Sequence, residues 1–188
     1  MRPKIGKEKI LEAAISLFAK QGFHKTSISQ IAEAAGVSKG LTYNYFKSKE
    51  DLLLAIINEA TERMVAVAAG MDTAESFNLT LRSFLTDISK TLKENREFLS
   101  FQLGLLLQPE LRPIIDAPLQ RRAEHLLDAT ETMFRGAGLK DTEMIARRLL
   151  AEIDGIGLHY LSIFKNYPLD AMLDQLYEAY RTIPDDTV

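Results

Sequence analysis

Apolar residues return every three or four positions along nearly the whole chain, and alternating β-branched runs are absent. That pattern restricts the fold to packed amphipathic helices. Ile10, Leu11, Ala14, Leu17 and Phe18 form the first stripe, and Gly22 stands where that helix must stop. Ser27 can cap a second helix, with Gln30 as the reciprocal residue and Ile31, Ala32 and Ala35 as its apolar face. Gly36 closes it in a tight turn. Ser38 caps a third helix ended by Phe46 and Lys47, and Ser48 with Asp51 opens a fourth that buries Leu52, Leu53, Ile56 and Ile57. The fourth is expected to be long, over 49–69, until Gly70 and the DTAE segment break it. Further helices are expected near 73–93, 96–107, 117–135, 142–165 and 169–181. Pro109, Pro113 and Pro118 should make the stretch after Gln108 irregular, and the tail at 184–188 should fray.

The expected fold class is therefore all-α. With 46% apolar and 26% charged residues the chain can bury a core, and 188 residues suit two units, here placed at 1–48 and 49–188. The absence of cysteine removes disulfides, thiolate catalysis and cysteine-ligated zinc, and favours a reducing, cytoplasmic setting. The N-terminal stretch mixes charges into its apolar residues, and no run approaches the ~18 apolar residues of a membrane span, so neither export nor membrane contact is expected. Charge is unevenly distributed. Through Lys49 there are nine Lys/Arg (residues 2, 4, 7, 9, 20, 25, 39, 47 and 49) against Glu8, Glu12 and Glu33, a balance of +6. The total is −3, so the remainder carries −9. A basic quarter on an acidic body reads as one unit that meets a polyanion and one that does not.

The spacing of the second and third helices matches a helix-turn-helix, in which the first helix supports and the second enters the DNA major groove. Ala32 is the small residue where they touch, and Gly36 permits the turn. Val37, Thr42 and Tyr45 fall on the inward face. Ser38, Lys39, Gly40, Tyr43, Asn44 and Lys47 fall outward. Such a face suits phosphates and base edges: hydroxyl, amide and ammonium donors, with a glycine that admits a close backbone.

Phe18 before Gly22-Phe23, the Thr26-Ser27 pair, IAEAAGVSKG, Tyr43, Phe46 and SKEDLL together resemble the DNA-binding head of TetR-family transcriptional regulators. The match runs over residues 8–57, with Thr42 where the family usually carries a large aliphatic. The likeness implies a three-helix head joined by a long helix to a helical ligand-binding and dimerisation domain. It implies that Lys39 reads a guanine edge, that Asn44 and Ser29 reach a base or phosphate, and that Leu41 meets a thymine methyl. Thr26, Tyr43, Lys47 and Lys49 would hold phosphates, with backbone amides at the starts of the second and fourth helices. Thr42 is read as a buried residue bonded one turn back.

The resemblance further implies a homodimer on a near-palindromic duplex, its two heads about 34–36 Å apart. The seam would lie on the last two helices: Leu149, Leu150, Ile153, Ile156, Leu161 and Phe164, then Met172, Leu173, Leu176, Tyr177 and Tyr180. Gly155 and Gly157 would serve close helix crossing. An apolar cavity for a lipophilic effector is implied in the second domain, lined by Phe84, Phe101, Gln102, Leu105, His125, Met133, Asp154 and His159. The four polar members are either orienting groups or satisfied core and interface groups. The effector would shift head spacing through the long fourth helix. Other readings are a ligand-independent sliding binder, an activator with the same head, and an enzyme. The last lacks any nucleophile-elbow, phosphate-loop or metal-spaced histidine motif, and neither a metal nor a cofactor is expected.

Overall fold

The computed structural model describes residues 2–69 and 76–183. Among these the chain is helical without strands, in agreement with the periodicity. The α-helices are α1 (Arg2–Gln21), α2 (Ile28–Ala34), α3 (Lys39–Tyr45), α4 (Lys49–Ala69), α5 (Phe77–Glu94), α6 (Arg96–Leu106), α7 (Arg112–Gly136), α8 (Thr142–Leu158) and α9 (Leu169–Arg181). The expected break over 70–75 and the expected frayed tail at 184–188 lie outside the described residues.

The chain divides into two compact units, 1–61 with 97–119 and 62–96 with 120–188. In the first, Ile10, Ala14, Phe18, Ile31, Phe46, Leu52, Leu53 and Ile57 form one core with Leu105, Leu111 and Ile115. Phe18 stacks on Phe101 with ring centroids 5.7 Å apart. The segment from α6 into α7 thus closes the same core as α1 and the two short helices α2 and α3. Full burial of aliphatic and aromatic side chains such as these contributes about 1.5–3 kcal/mol each, which offsets the ordering of such short helices. In the second unit, Leu81, Phe84, Leu85, Met133, Phe134, Leu149, Ile153 and Tyr180 are buried. Phe134 lies 5.5 Å from the Phe77 ring and 6.0 Å from that of Tyr180.

Three expectations need correction. α7 begins at Arg112 instead of near 117, because Pro113 falls in its first turn, where an amide has no helical partner to lose. Pro118 lies inside the helix, and the buried Thr61 hydroxyl donates to its carbonyl at 3.3 Å. α8 ends at Leu158 and continues as one π-helical turn, His159–Ile163, instead of running to 165. Finally, most of the expected seam is committed within its own chain: Leu149, Ile153, Ile156, Leu173, Leu176 and Tyr180 are buried, because α5, α8 and α9 pack on one another. Met144, Leu158, Ile163, Phe164 and Met172 are the large apolar residues exposed on these last helices. Neither glycine marks a close crossing: a Cβ at Gly157 would meet Leu92 at 3.6 Å, an ordinary van der Waals contact, and one at Gly155 would meet no atom within 4 Å.

Candidate nucleic-acid interface

Local chemistry builds the two helices at the interface. Ser27 accepts from the Gln30 amide at 3.3 Å while the Gln30 side chain accepts from the Ser27 amide at 2.8 Å, a complete capping box. Such a cap is worth about 1 kcal/mol, a large share of what a seven-residue helix needs. Gly36 takes φ +64°, a left-handed conformation that lets its amide reach Glu33 and the Val37 amide reach Ala32, both at 3.0 Å. Ser38 then caps α3 through the Leu41 amide at 3.1 Å. Thr42 is fully buried, with its hydroxyl directed to the Ser38 carbonyl at 3.4 Å. Inward packing of Thr42 sends its neighbours Lys39, Gly40, Tyr43 and Asn44 outward, and all four are exposed.

Two of them, Lys39 and Tyr43, border an open groove of about 460 Å³ on the first unit. Lys39 and Tyr43 come to it from α3, Ser29 from α2 and Lys47 from the following turn. The Lys39 ammonium lies 5.9 Å from the centre of the Tyr43 ring. Among the described residues neither Lys39 nor Lys47 makes an ion pair with a carboxylate. His24, Ser27 and Ser48 also line the groove; the sequence pattern marks the two serines only as caps. Asn44 is exposed on α3 without being part of this lining, and Leu41 is half-buried beside Gly6 of α1.

Two residues expected to hold phosphates have other work. Thr26 is buried; its hydroxyl donates to the Gly22 carbonyl at 2.8 Å and accepts from Gln21 at 3.1 Å, and its amide donates to Phe23 at 3.2 Å. No donor remains for an anion. The Lys49 ammonium donates to the carbonyls of Phe23, His24 and Thr26 at 2.8, 3.3 and 2.9 Å. The start of α4 already has carboxylates of its own. Asp51 accepts from the Lys47 amide at 2.8 Å, and the Glu50 carboxyl is held below its ordinary range chiefly by its own backbone N–H and then by the Ser48 hydroxyl. That helix end is thus less open to phosphate than its position implies.

The residues expected to line an effector cavity are divided between the two units. Phe101, Gln102 and Leu105 belong to the first unit, where Phe101 and Leu105 join the core around Phe18. Gln102 is buried on the same helix. Phe84 and Met133 lie in the core of the second unit, His125 is exposed, and His159 packs edge-on against Phe164 and Tyr167 at 5.3 and 5.6 Å. Asp154 is exposed on α8 yet crowded by neighbouring atoms: desolvation raises its pKa, opposed by the positive charge of Arg122, whose own pKa burial lowers. Among the described residues no cluster of three or more His, Asp or Glu is arranged to hold a metal. No described helix is long and apolar enough to cross a membrane.

Comparison with known proteins adds a lineage to this geometry. The domain described as bacterial regulatory proteins, tetR family, matches residues 10–56. The chain is 31% identical over 157 residues to the HTH-type transcriptional regulator YuxN of Bacillus subtilis, covering 82% of this chain and 54% of that protein. It is 43% identical over 58 residues to the fatty acid metabolism regulator protein of the same organism, covering 31% of this chain and 29% of that one. The chain thus spans about half the length of the first of these curated relatives and under a third of the second. A TetR transcription regulator from Haloarcula marismortui shares the fold, with a TM-score of 0.77 at 20% identity over 96% of this chain and 97% of that one. The regulator FadR from Bacillus subtilis, solved in complex with stearoyl-CoA, gives 0.71 at 25% identity over 91% and 95%. The capped helix pair, the domain match across it, and a relative aligned along most of the sequence lead to one conclusion: the chain belongs to the TetR family of bacterial regulatory proteins.

Proposed function

We propose that this protein is a sequence-specific DNA-binding transcriptional repressor that acts as a homodimer on a two-fold-symmetric operator and is released by a lipophilic small molecule. The observation that carries the reading is the set of uncommitted donors on one face of the capped helix pair: Ser29, Lys39, Tyr43 and Lys47 around a single groove, with Asn44 beside it. Lys39 is assigned to a guanine edge and Asn44 to a base or phosphate; Ser29, Tyr43 and Lys47 are assigned to phosphates, with Ser38 and Gly40 admitting the backbone closely. Thr26 and Lys49 support that face. Double-stranded DNA is the partner. The DNA-binding role falls to residues 1–48 and the effector and dimer roles to 49–188.

Dimerisation is assigned to the last two helices, through the exposed Leu158, Ile163, Phe164 and Met172. A lipophilic effector is supported by similarity to a fatty acid metabolism regulator and to FadR, which holds stearoyl-CoA. Asp154 and Arg122 are candidates for orienting its polar end. The family consists of regulators that are not enzymes, and the same is proposed of this chain, in the cytoplasm. The test is selection of random duplexes by the purified protein, followed by anisotropy titration of the winners at several salt concentrations. A palindromic winner bound far more tightly than random DNA is the expected result. Weak binding governed only by salt, without an enriched motif, would leave a phosphate-binding scaffold instead.

A further inference from the structure

We propose that Lys49 is a positioning residue of the DNA-binding face: it ties the turn between α1 and α2 to the first turn of α4, and it does not touch phosphate. An ammonium carries three donors, and here three main-chain carbonyls of that turn, Phe23, His24 and Thr26, take them at 2.8–3.3 Å. The same nitrogen lies 4.4 Å from the centre of the buried Phe23 ring, so a fourth side of the cation is covered as well. These carbonyls lie just beyond the C-terminal end of α1, where a cation is electrostatically favoured.

The position of the tie gives it consequence. Ser27 and Ser29 follow the tied turn directly, and Lys47 lies two residues before Lys49, so groups on both sides of the groove are referred to one point. The buried Thr26 hydroxyl closes the turn from within by donating to Gly22. The first turn of α4 therefore belongs to the rigid body of the head, and any flexing of α4 that alters the head must begin beyond it.

The inference rests on the DNA-binding reading, and two variants separate them. Lys49→Met keeps the stem over Phe23 and removes the donors. Lys49→Arg keeps the charge, but its planar fork cannot meet three carbonyls from one point. On the selected duplex, both variants are expected to bind about tenfold more weakly, as when one charge-assisted hydrogen bond is removed, with the wild-type slope of log affinity against log salt. Were Lys49 bound to phosphate, Lys49→Met would instead lower that slope by about 0.9 per phosphate, and Lys49→Arg would restore it. That outcome overturns the inference. In the free protein, the Thr26 amide, bonded to Phe23, should exchange faster in both variants while the amides of Leu52–Ile57 keep wild-type protection. Wild-type protection of Thr26 also overturns it. The exchange experiment needs no DNA, so a wild-type protein that selects no duplex defeats the regulator reading and leaves the tie still testable.

Discussion

Among the described residues two shallow grooves of similar size are bordered by cations, and they differ in how those cations are paired. One, of about 460 Å³, lies beside α3 and carries Lys39, Lys47 and Lys49; the other, of about 370 Å³, lies between α5 and α9 and carries Arg82, Lys90 and Lys93. In the second, Arg82 donates to Asp174 at 2.6 Å and stacks 3.5 Å over the Tyr177 ring, while Lys93 donates to Asp170 at 2.6 Å. Lysines and arginines number three on each groove, so a bare count does not separate them. Counting cations without an acidic partner does, because an ion pair presents little net field to a polyanion. The basic N-terminal quarter matters less for its total charge than for the scarcity of acids within reach of its lysines.

The most direct way to break this contrast is to remove Lys39, the free cation proposed to read a guanine edge. Lys39→Ala should cost about 1–3 kcal/mol on the selected operator, roughly tenfold to a hundredfold in affinity. It should also relax preference at one base pair per half-site. An equal loss on every sequence, in the same anisotropy titration, would make Lys39 a phosphate contact instead. Lys47→Ala should act next most strongly and differently. It should weaken operator and random duplex alike and lower the salt slope by about 0.9 for each phosphate released. A Lys47→Ala variant with an unchanged slope would remove Lys47 from the interface.

The head was far more legible in the sequence than the second unit, and the reason is the range over which each signal acts. The caps at Ser27, Ser38 and Ser48 work over three residues, so sequence neighbours display them, and all three are realised. Gly36 announces its left-handed turn in the same way. The carbonyls that Lys49 bonds lie 23 to 26 residues earlier, a distance at which no spacing rule operates, so the sequence offers only the phosphate reading. Phe101 and Leu105 expose a second limit. Apolar periodicity reports that a face is covered, not what covers it, and both residues complete the core around Phe18 instead of an empty cavity. The expected seam on the last helices meets the same limit at its buried members: Leu149 and Leu176 are needed inside their own unit before a partner can use them.

A charge-pairing variant sharpens the contrast from the other side. Asp170→Asn with Asp174→Asn should release Lys93 and Arg82 without adding a positive residue. Retention on immobilised heparin should then rise, though less than Lys47→Ala lowers it, because the released cations remain beside Glu94. Unchanged retention would mean that shape rather than pairing separates the two grooves.

The smallest expected effect is on stability, and pH isolates it. The Asp170 carboxyl is held below its ordinary value of 3.8 by the Lys93 hydrogen bond first and by the Ser89 hydroxyl second. Folding thus lowers this pKa, so the stabilisation is complete above the unfolded value and fades as pH falls through the folded one. Both partners are largely exposed, at 47% for Lys93 and 67% for Asp170, and solvent screening keeps such a pair to about 0–1 kcal/mol. Asp170→Asn should therefore lower the urea midpoint slightly at pH 7, and the difference from wild type should shrink as the acid range is entered below about pH 4. A difference that persists fully in acid would assign the effect to hydrogen-bond geometry at Ser89 instead of charge. The α5–α9 groove would then owe its inertness to packing, and its contrast with the α3 groove would no longer be one of paired against unpaired cations.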